Sequence, residues 1–536
     1  EDGIRDAQES RGLGDVYKRQ RSFMDSNDDG IGDLIGILSR LDYLADLGVD
    51  AIWLSPIYPS PDVDFGYDVS DYMAVDPKFG TLQDFDRLVE EAHRRGIRVI
   101  LDLVLNHTSD QHPWFRAARS SRENPYHNWY LWKDALPNHR PPNNWQSVFG
   151  GSAWEYVPEF NQYYYHMFYK EQPDVNWRNP QVRQAMLDVI RFWLERGVDG
   201  FRLDVFNMYF KHADFPDNPP ALGLRGFDRQ KHVYDADQPE LIPLLADIRQ
   251  LVDQYPQRYL VGETFLSTAE RAAMYCSPEL LHAAFNFEFL HCPWRPARFL
   301  GAIQRWETAL QKVEGWPNYV LNNHDVPRSA SRYTHDEGDE RLKVLAMLLL
   351  TLRGTPFIYY GEEIGMRDIA VRRSEIKDPV GKRFWPFFKG RDGCRSPMQW
   401  DGSLYAGFSN NLPWLPIHPN HAWRNVESQR ADMNSLFNFY RRLIQLRREF
   451  PALRKGLFQP LTFDPISLLA YLRVLPGQTL LIALNFSRKP KRLMLGRELT
   501  KKPWKLVLTS YQPYQALVEK DYLSLRSYEA IILQQD

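Results

Sequence analysis

The chain has 536 residues and a formal net charge of −2, from 66 Lys and Arg against 68 Asp and Glu, so it offers no electrostatic footprint for nucleic acid or an anionic membrane. With 43% hydrophobic residues it can build a large core, which excludes disorder and collagen-like repeats; its length suits about three units, or one large barrel with appendages. The longest apolar run, 344–352, falls far short of the roughly 20 residues that span a bilayer.

Along the chain, helix-like and strand-like segments alternate. An amphipathic helix is expected over 34–47, stopped by Gly48, then a buried strand at 51–54. Thr81 with Asp84 three residues on opens a helix that ends at Gly96, and 97–104 reads as a strand. Asn179 followed by Pro180 opens another helix, Gly197 closes it, and 198–204 is the next strand. Short apolar strands follow at 259–262, 319–321 and 356–360, the last preceded by a helix through 344–352. Repeated strand–helix alternation of this length predicts an α/β fold, a (β/α)8 barrel. Two regions break the rhythm. Residues 106–177, rich in Trp, Tyr, Pro, Asn and Gly, read as a subdomain inserted after the third strand. From 455 to 536, alternating strands at 468–474, 480–485 and 528–533 predict a C-terminal antiparallel β-sandwich domain. The barrel is thus expected in two parts, 21–105 and 178–454.

At four strand ends, polar and acidic residues stand where an apolar strand stops: Asp102-Leu-Val-Leu-Asn106-His107, Gly200-Phe-Arg202-Leu-Asp204, Gly262-Glu263-Thr264 and Asn322-Asn-His324-Asp325. Strand side chains alternate, so Arg202 and Asp204 share a face, and C-terminal strand ends of a barrel converge on one mouth. Three cysteines, Cys276, Cys292 and Cys394, lie at no metal-ligand spacing and form no disulfide framework. No charged stretch followed by an apolar leader is present near the start, and a cytoplasmic location is expected.

These four segments, in this order, resemble the signature regions of the α-amylase superfamily of glycoside hydrolases. Within it the chain resembles the α-glucosidase and oligo-1,6-glucosidase branch. Asp64-Phe-Gly-Tyr67-Asp68, Gln172-Pro-Asp174-Val-Asn176, Gly361-Glu-Glu-Ile-Gly365-Met366 and Gly390-Arg391-Asp-Gly-Cys-Arg395-Ser-Pro-Met-Gln-Trp400-Asp match it too. The resemblance implies an exo-acting, retaining α-glucosidase that releases terminal glucose from di- and short oligosaccharides, with transglucosylation as a side activity. The alternative is a sucrose-acting or glucosyl-transferring and isomerising relative. It implies Asp204 as nucleophile, Glu263 as general acid and then base, and Asp325 as the third carboxylate. Arg202 is expected to hold Asp204 ionised by charge pairing, and His107 and His324 to hydrogen-bond hydroxyls of the same sugar ring. Asp64 and Arg391 resemble the pair that closes the non-reducing end of the pocket, with Arg395 as the alternative to Arg391. Tyr67 would stack on the glucose, and Phe149 and Phe168 would wall it. Val205, after the nucleophile, goes with α-1,6 preference in the branch, an effect worth only about 1–3 kcal/mol.

The loop Asp25-Ser-Asn27-Asp-Asp29-Gly-Ile31-Gly-Asp33 has oxygen donors at alternate residues but carries Gly36 at the twelfth position, where an EF-hand closes with Glu. The resemblance implies a structural Ca2+ or Mg2+ there, held by Asp25, Asn27, Asp29, the Ile31 carbonyl and Asp33; no organic cofactor is expected. A monomer or homodimer is expected, with a short α-glucoside as the only partner. Of the family's opening strand and Tyr-Pro-Arg-Ser-Phe-like segment, only Arg21-Ser22-Phe23 remains, so residues 1–20 are expected to be an atypical leader, foreign or mis-assembled.

Overall fold

The computed structural model describes residues 15–18, 20–265, 267–334, 338–461, 464–511, 518–519 and 521–535. Eight parallel strands form the central sheet: β1 (Asp15–Lys18), β2 (Ala51–Leu54), β3 (Arg98–Leu103), and then, after an inserted segment carrying β4 (Trp132–Asp134), β5 (Trp154–Val157) and β6 (Gln162–Tyr165), β7 (Gly200–Leu203), β8 (Tyr259–Glu263), β9 (Ala283–Phe285), β10 (Asn318–Val320) and β11 (Thr355–Tyr359). Their order is β10-β11-β1-β2-β3-β7-β8-β9, and Cα atoms of the two outer strands come within 8 Å of one another. Parallel neighbours need long crossovers, which the intervening helices supply. Gly200 opens β7 because an added Cβ would stand 2.0 Å from the Tyr259 carbonyl oxygen, so only glycine lets β7 lie against β8 here.

Local chemistry sets the helix ends. Thr81 and Asp84 form a reciprocal capping box on helix Leu82–Arg94. The Asn179 side chain caps helix Pro180–Glu195, whose first residue needs no N–H partner. Trp193 of that helix packs edge-on to Phe85 at 5.0 Å and donates its indole N–H to the Tyr72 carbonyl at 2.9 Å, tying the helical layer to the loop after β2.

Several expectations are corrected. The helix expected over 34–47 is two helices, Leu34–Ser39 and Leu41–Leu47, broken at Arg40, whose φ of −113° leaves the helical range; the apolar period runs through the break and hides it. The leader expected over 1–20 lies mostly outside the described residues, but 15–18 within it form β1, with Val16 paired to Ile52 and to Ile358. A four-residue strand flanked by charged residues has no apolar run to announce it. The insertion over 106–177 contains a three-stranded antiparallel sheet, β4-β6-β5, and a short helix, Pro113–Ala118. Strand β9 was not expected, being only three residues long.

The C-terminal part holds two antiparallel sheets. One is β12 (Leu457–Leu461), β13 (Leu468–Leu475), β14 (Gln478–Asn485), β16 (Trp504–Thr509) and β19 (Ala530–Gln535), ordered β12-β13-β14-β19-β16; the other is β15 (Lys491–Met494), β17 (Val518–Glu519) and β18 (Tyr522–Leu525). Leu472, Leu481, Leu493, Leu523 and Ile531 form one apolar cluster between the two sheets. The opposite face of the larger sheet, through Tyr471, Ile482 and Ile532, belongs to the same core as the parallel sheet.

Candidate active site

The C-terminal ends of β7 and β8 and the segment after β10 bring their acidic residues, and the segment after β3 brings His107, to a cavity of about 280 Å³. Asp204, Glu263, Asp325, Asp64, Tyr67, His107, Phe149, Phe168, Arg202, His324 and Arg391 all line it. Val148, Val205, Arg225 and Phe265 line it as well. Phe265 stands two residues after Glu263, a spacing that could have pointed to it; Arg225 arrives from mid-loop with no local signal.

At its floor, the Arg202 guanidinium bridges three carboxylates. Nη1 donates to Asp204 Oδ1 and, at 2.8 Å, to Asp102 Oδ1, while Nη2 donates to Glu263 Oε2. Arg202 also lies over the Trp53 ring, 5.1 Å from its centroid, so the fork is held by packing as well as charge. Charge pairing with Arg202 draws Asp204 down, but burial, with Asp102 close by, outweighs it and pushes the carboxyl up to about 6. Burial likewise raises Asp102. Asp204 therefore stays ionised at pH 7 and protonates only in mild acid.

The Tyr67 hydroxyl donates to Asp102 Oδ2 at 3.1 Å and lies 3.0 Å from His324 Nε2, with the two rings stacked 5.6 Å apart. His107 Nε2 sits 3.0 Å from the Tyr67 carbonyl oxygen, and burial lowers its pKa. Behind it, the fully buried Lys211 ammonium donates to Asp174 and, at 3.0 Å, to Asn106, pinning the β3 end to the insertion.

Across the cavity, Arg391 Nη2 donates to Asp64 Oδ1 at 2.7 Å and to Asp378 Oδ1 at 3.0 Å. Burial alone would raise Asp378, but Arg391, in charge and hydrogen bonds, brings it down to about 2. Arg395 takes a different place: Nη2 donates to Asp325 Oδ1 at 3.0 Å and Nε to the His324 carbonyl at 2.8 Å. Arg391, rather than Arg395, thus pairs with Asp64. Phe149 and Phe168 stand 5.6 Å apart on the wall, and Arg391 lies over Phe149. Asp378, 13 residues before Arg391, had no sequence signal. Val205 is held at φ 35°, ψ 39°, an uncommon conformation for a β-branched residue, which turns the chain sharply after Asp204.

The loop over 25–33 turns several oxygen donors toward its own backbone. Asp25 accepts from the Asn27, Asp28 and Gly30 N–H groups, Asn27 from Asp29 N–H and Asp29 from Ile31 N–H. Asp33 accepts from Ser26 and caps Gly36. These are hard oxygen donors of the kind Ca2+ and Mg2+ take. No three His, Cys, Asp or Glu side chains come together as a metal group among the described residues. Any cage would therefore lean on the Asn27 amide and the Ile31 carbonyl.

Comparison with known proteins places these observations. Residues 16–456 match the family model for the α-amylase catalytic domain. The chain is 48% identical over 453 residues to a probable α-glucosidase of Rhizobium meliloti (strain 1021), covering 81% of this chain and 82% of that protein. It is 40% identical over 545 residues to an oligo-1,6-glucosidase of Parageobacillus thermoglucosidasius, covering 95% and 96%. Among solved structures, the α-glucosyl transfer enzyme XgtA superposes with a TM-score of 0.93 at 40% identity, covering 99% of this chain and all of that one.

Proposed function

Since the chain belongs to the α-amylase family of glycoside hydrolases, we propose that it is an exo-acting, retaining α-glucosidase of short α-glucosides. The observation that carries this reading is one guanidinium holding Asp204 and Glu263 at its two ends, inside a small cavity closed by the Asp64–Arg391 pair. Two carboxyl groups sharing one fork suit the short spacing, about 5–5.5 Å, of a double displacement. Glu263 gives its proton to the glycosidic oxygen as that bond breaks, while Asp204 Oδ attacks C1 and forms a glucosyl ester. Glu263, now ionised, takes a proton from water, whose oxygen attacks C1 and releases glucose with the configuration retained. A sugar hydroxyl in place of water gives transfer, the activity named for XgtA. Arg202 keeps Asp204 oriented, and Asp325, held by Arg395, faces the sugar to favour the oxocarbenium-like state. About 280 Å³ is at the lower end of ligand cavities, in keeping with one enclosed ring.

The eight-stranded sheet is, in the same proposal, the (β/α)8 barrel of the family, closed where β9 approaches β10. A cytoplasmic location also belongs to it, supported by three buried thiols that are free among the described residues. So does a structural divalent cation in the 25–33 loop. Chelator treatment should then lower the thermal midpoint and release about one Ca2+ or Mg2+ per chain in metal analysis; an unchanged midpoint with no metal released removes it.

The test of the function is glucose release from maltose and from isomaltose, side by side, with Asp204→Asn as the blank. Faster release from isomaltose makes Val205 a sound guide to linkage, and faster release from maltose means the surrounding pocket outweighs it. No release from either rejects the proposal.

A further inference from the structure

The Gly361-Glu-Glu-Ile-Gly365-Met366 motif places two acidic residues deep in the core, and the chemistry above uses neither. Glu362 lies just beyond β11, against the segment that follows β10. Its Oε1 accepts from the Tyr440 hydroxyl at 2.9 Å, its Oε2 from the Tyr359 N–H at 3.2 Å, and the Asn322 amide donates to it as well. Asn322 is the base of the turn that carries His324 and Asp325: its Oδ1 accepts from Ser329 N–H, and its Nδ2 donates to Ser329 Oγ at 3.1 Å. Within the turn, Asn323 Oδ1 accepts from the N–H groups of Asp325 and Val326, at 2.9 and 3.0 Å.

We propose that Glu362 is a positioning residue: its carboxylate orients Asn322, and through Asn322 the turn that presents His324 and Asp325 to the sugar. This rests on the glucosidase reading. Three donors converge on Glu362, so the ionised form satisfies all of them. A protonated carboxyl adds an O–H whose need for an acceptor could be met only by turning the Tyr440 hydroxyl round, at the cost of one existing bond. Glu363 follows it and accepts from the Tyr43 hydroxyl at 2.5 Å; Arg430 and Asp46 face Tyr43 from outside, and Tyr359 and Tyr440 bond Glu362 directly. Two buried arginines stand nearby on the same segment: Arg328 donates to the Tyr360 carbonyl at 2.7 Å and Arg424 to the Ile364 carbonyl at 3.1 Å. Among the described residues no cation is hydrogen-bonded to Glu362, and burial, with Glu363 adding repulsion, brings its carboxyl up to about 7, against about 6 for Asp204. The sign follows. Lowering the pH through 7 protonates Glu362 and loosens the turn before Asp204 is lost, so activity falls in two steps on the acid side.

The experiment is the pH profile of kcat/KM for glucose release from the preferred disaccharide, pH 5 to 8.5, for wild type, Glu362→Gln and Tyr440→Phe. The expected wild-type profile shows an upper step near 7 and a lower one near 6. Glu362→Gln is expected to lose the upper step only, with kcat at pH 8 about tenfold below wild type, the scale of one lost buried hydrogen bond. Tyr440→Phe removes a donor to the ionised form and is expected to move the upper step toward pH 8. A wild-type profile with a single step near 6, or Glu362→Gln and wild-type profiles that superpose, overturns the inference. Should Glu362→Gln fail to fold, an unmoved upper step in Tyr440→Phe overturns it equally. An enzyme that releases no glucose at any pH overturns the glucosidase reading itself.

Discussion

At the scale of single residues, Asp204 and Glu263 differ in what they can do although one arginine binds both. Asp204 lies among Arg202, Asp102 and His107, and a carboxylate at the end of β7 that protonates only near pH 6 is available for attack at neutral pH. Azide distinguishes the two roles. With Asp204→Ala, added azide should attack C1 in place of the lost carboxylate and yield the β-glucosyl azide. With Glu263→Ala it should open the glucosyl ester and yield the α-glucosyl azide, because azide needs no general base. Product stereochemistry by NMR reads both, and the same anomer from the two variants would refute the assignment.

At the scale of elements, the site is assembled from loops that different strands deliver, and ion pairs join them. Arg391 ties the segment 378–391 to Asp64, which follows β2, while Arg395 ties its neighbour to Asp325, which follows β10. Asp378→Asn removes the buried partner of Arg391 and lets it shift from Asp64. We expect KM for a disaccharide to rise about tenfold with a smaller effect on kcat, since this pair grips the non-reacting end of the sugar. The sign on stability follows from the depressed carboxyl. Asp378 stabilises the folded protein above its ordinary pKa, and that contribution is lost as the pH falls toward 2. The variant should therefore be less stable by about 2 kcal/mol at pH 7, a gap that closes in thermal midpoints measured between pH 4 and 2. A constant gap across that range would contradict the assignment.

At the scale of the whole molecule, the C-terminal sheets are part of the catalytic unit's core. Arg447, fully buried in helix Leu436–Glu449, donates to the carbonyls of Leu350, Leu352 and Gly354 at 2.8, 2.8 and 2.6 Å, just before β11. Arg473 of β13 donates to the Ala452 and Leu453 carbonyls beside it, each at 3.3 Å. Burial, with the neighbouring arginines adding repulsion, lowers Arg447 to about 9. A chain cut after residue 456, where the family match stops, would expose the face formed by Tyr471, Ile482 and Ile532's partners. We expect that fragment to be recovered as aggregate; a soluble fragment releasing glucose at the full-length rate would show the sheets to be dispensable.

The amino-acid sequence set the alternation of strands and helices, the insertion after β3, the antiparallel C-terminal part and the four acidic strand ends, while Asp64, Tyr67, Phe149, Phe168 and Arg391 came from the family resemblance. Those features are written in local periodicity, in caps such as Thr81 with Asp84, and in polar residues set at the ends of apolar strands, each visible within a few residues. Tertiary structure alone decided the rest. Strand β1 has no apolar run and exists through its pairing with Ile52 and Ile358. Asp378 reaches Arg391, and Arg225 reaches the cavity, through loop paths that no spacing encodes. That burial outweighs Arg202 at Asp204 is also a property of the assembled core. Charge pairing can be read from two residues in a motif, whereas desolvation depends on everything the fold packs around them.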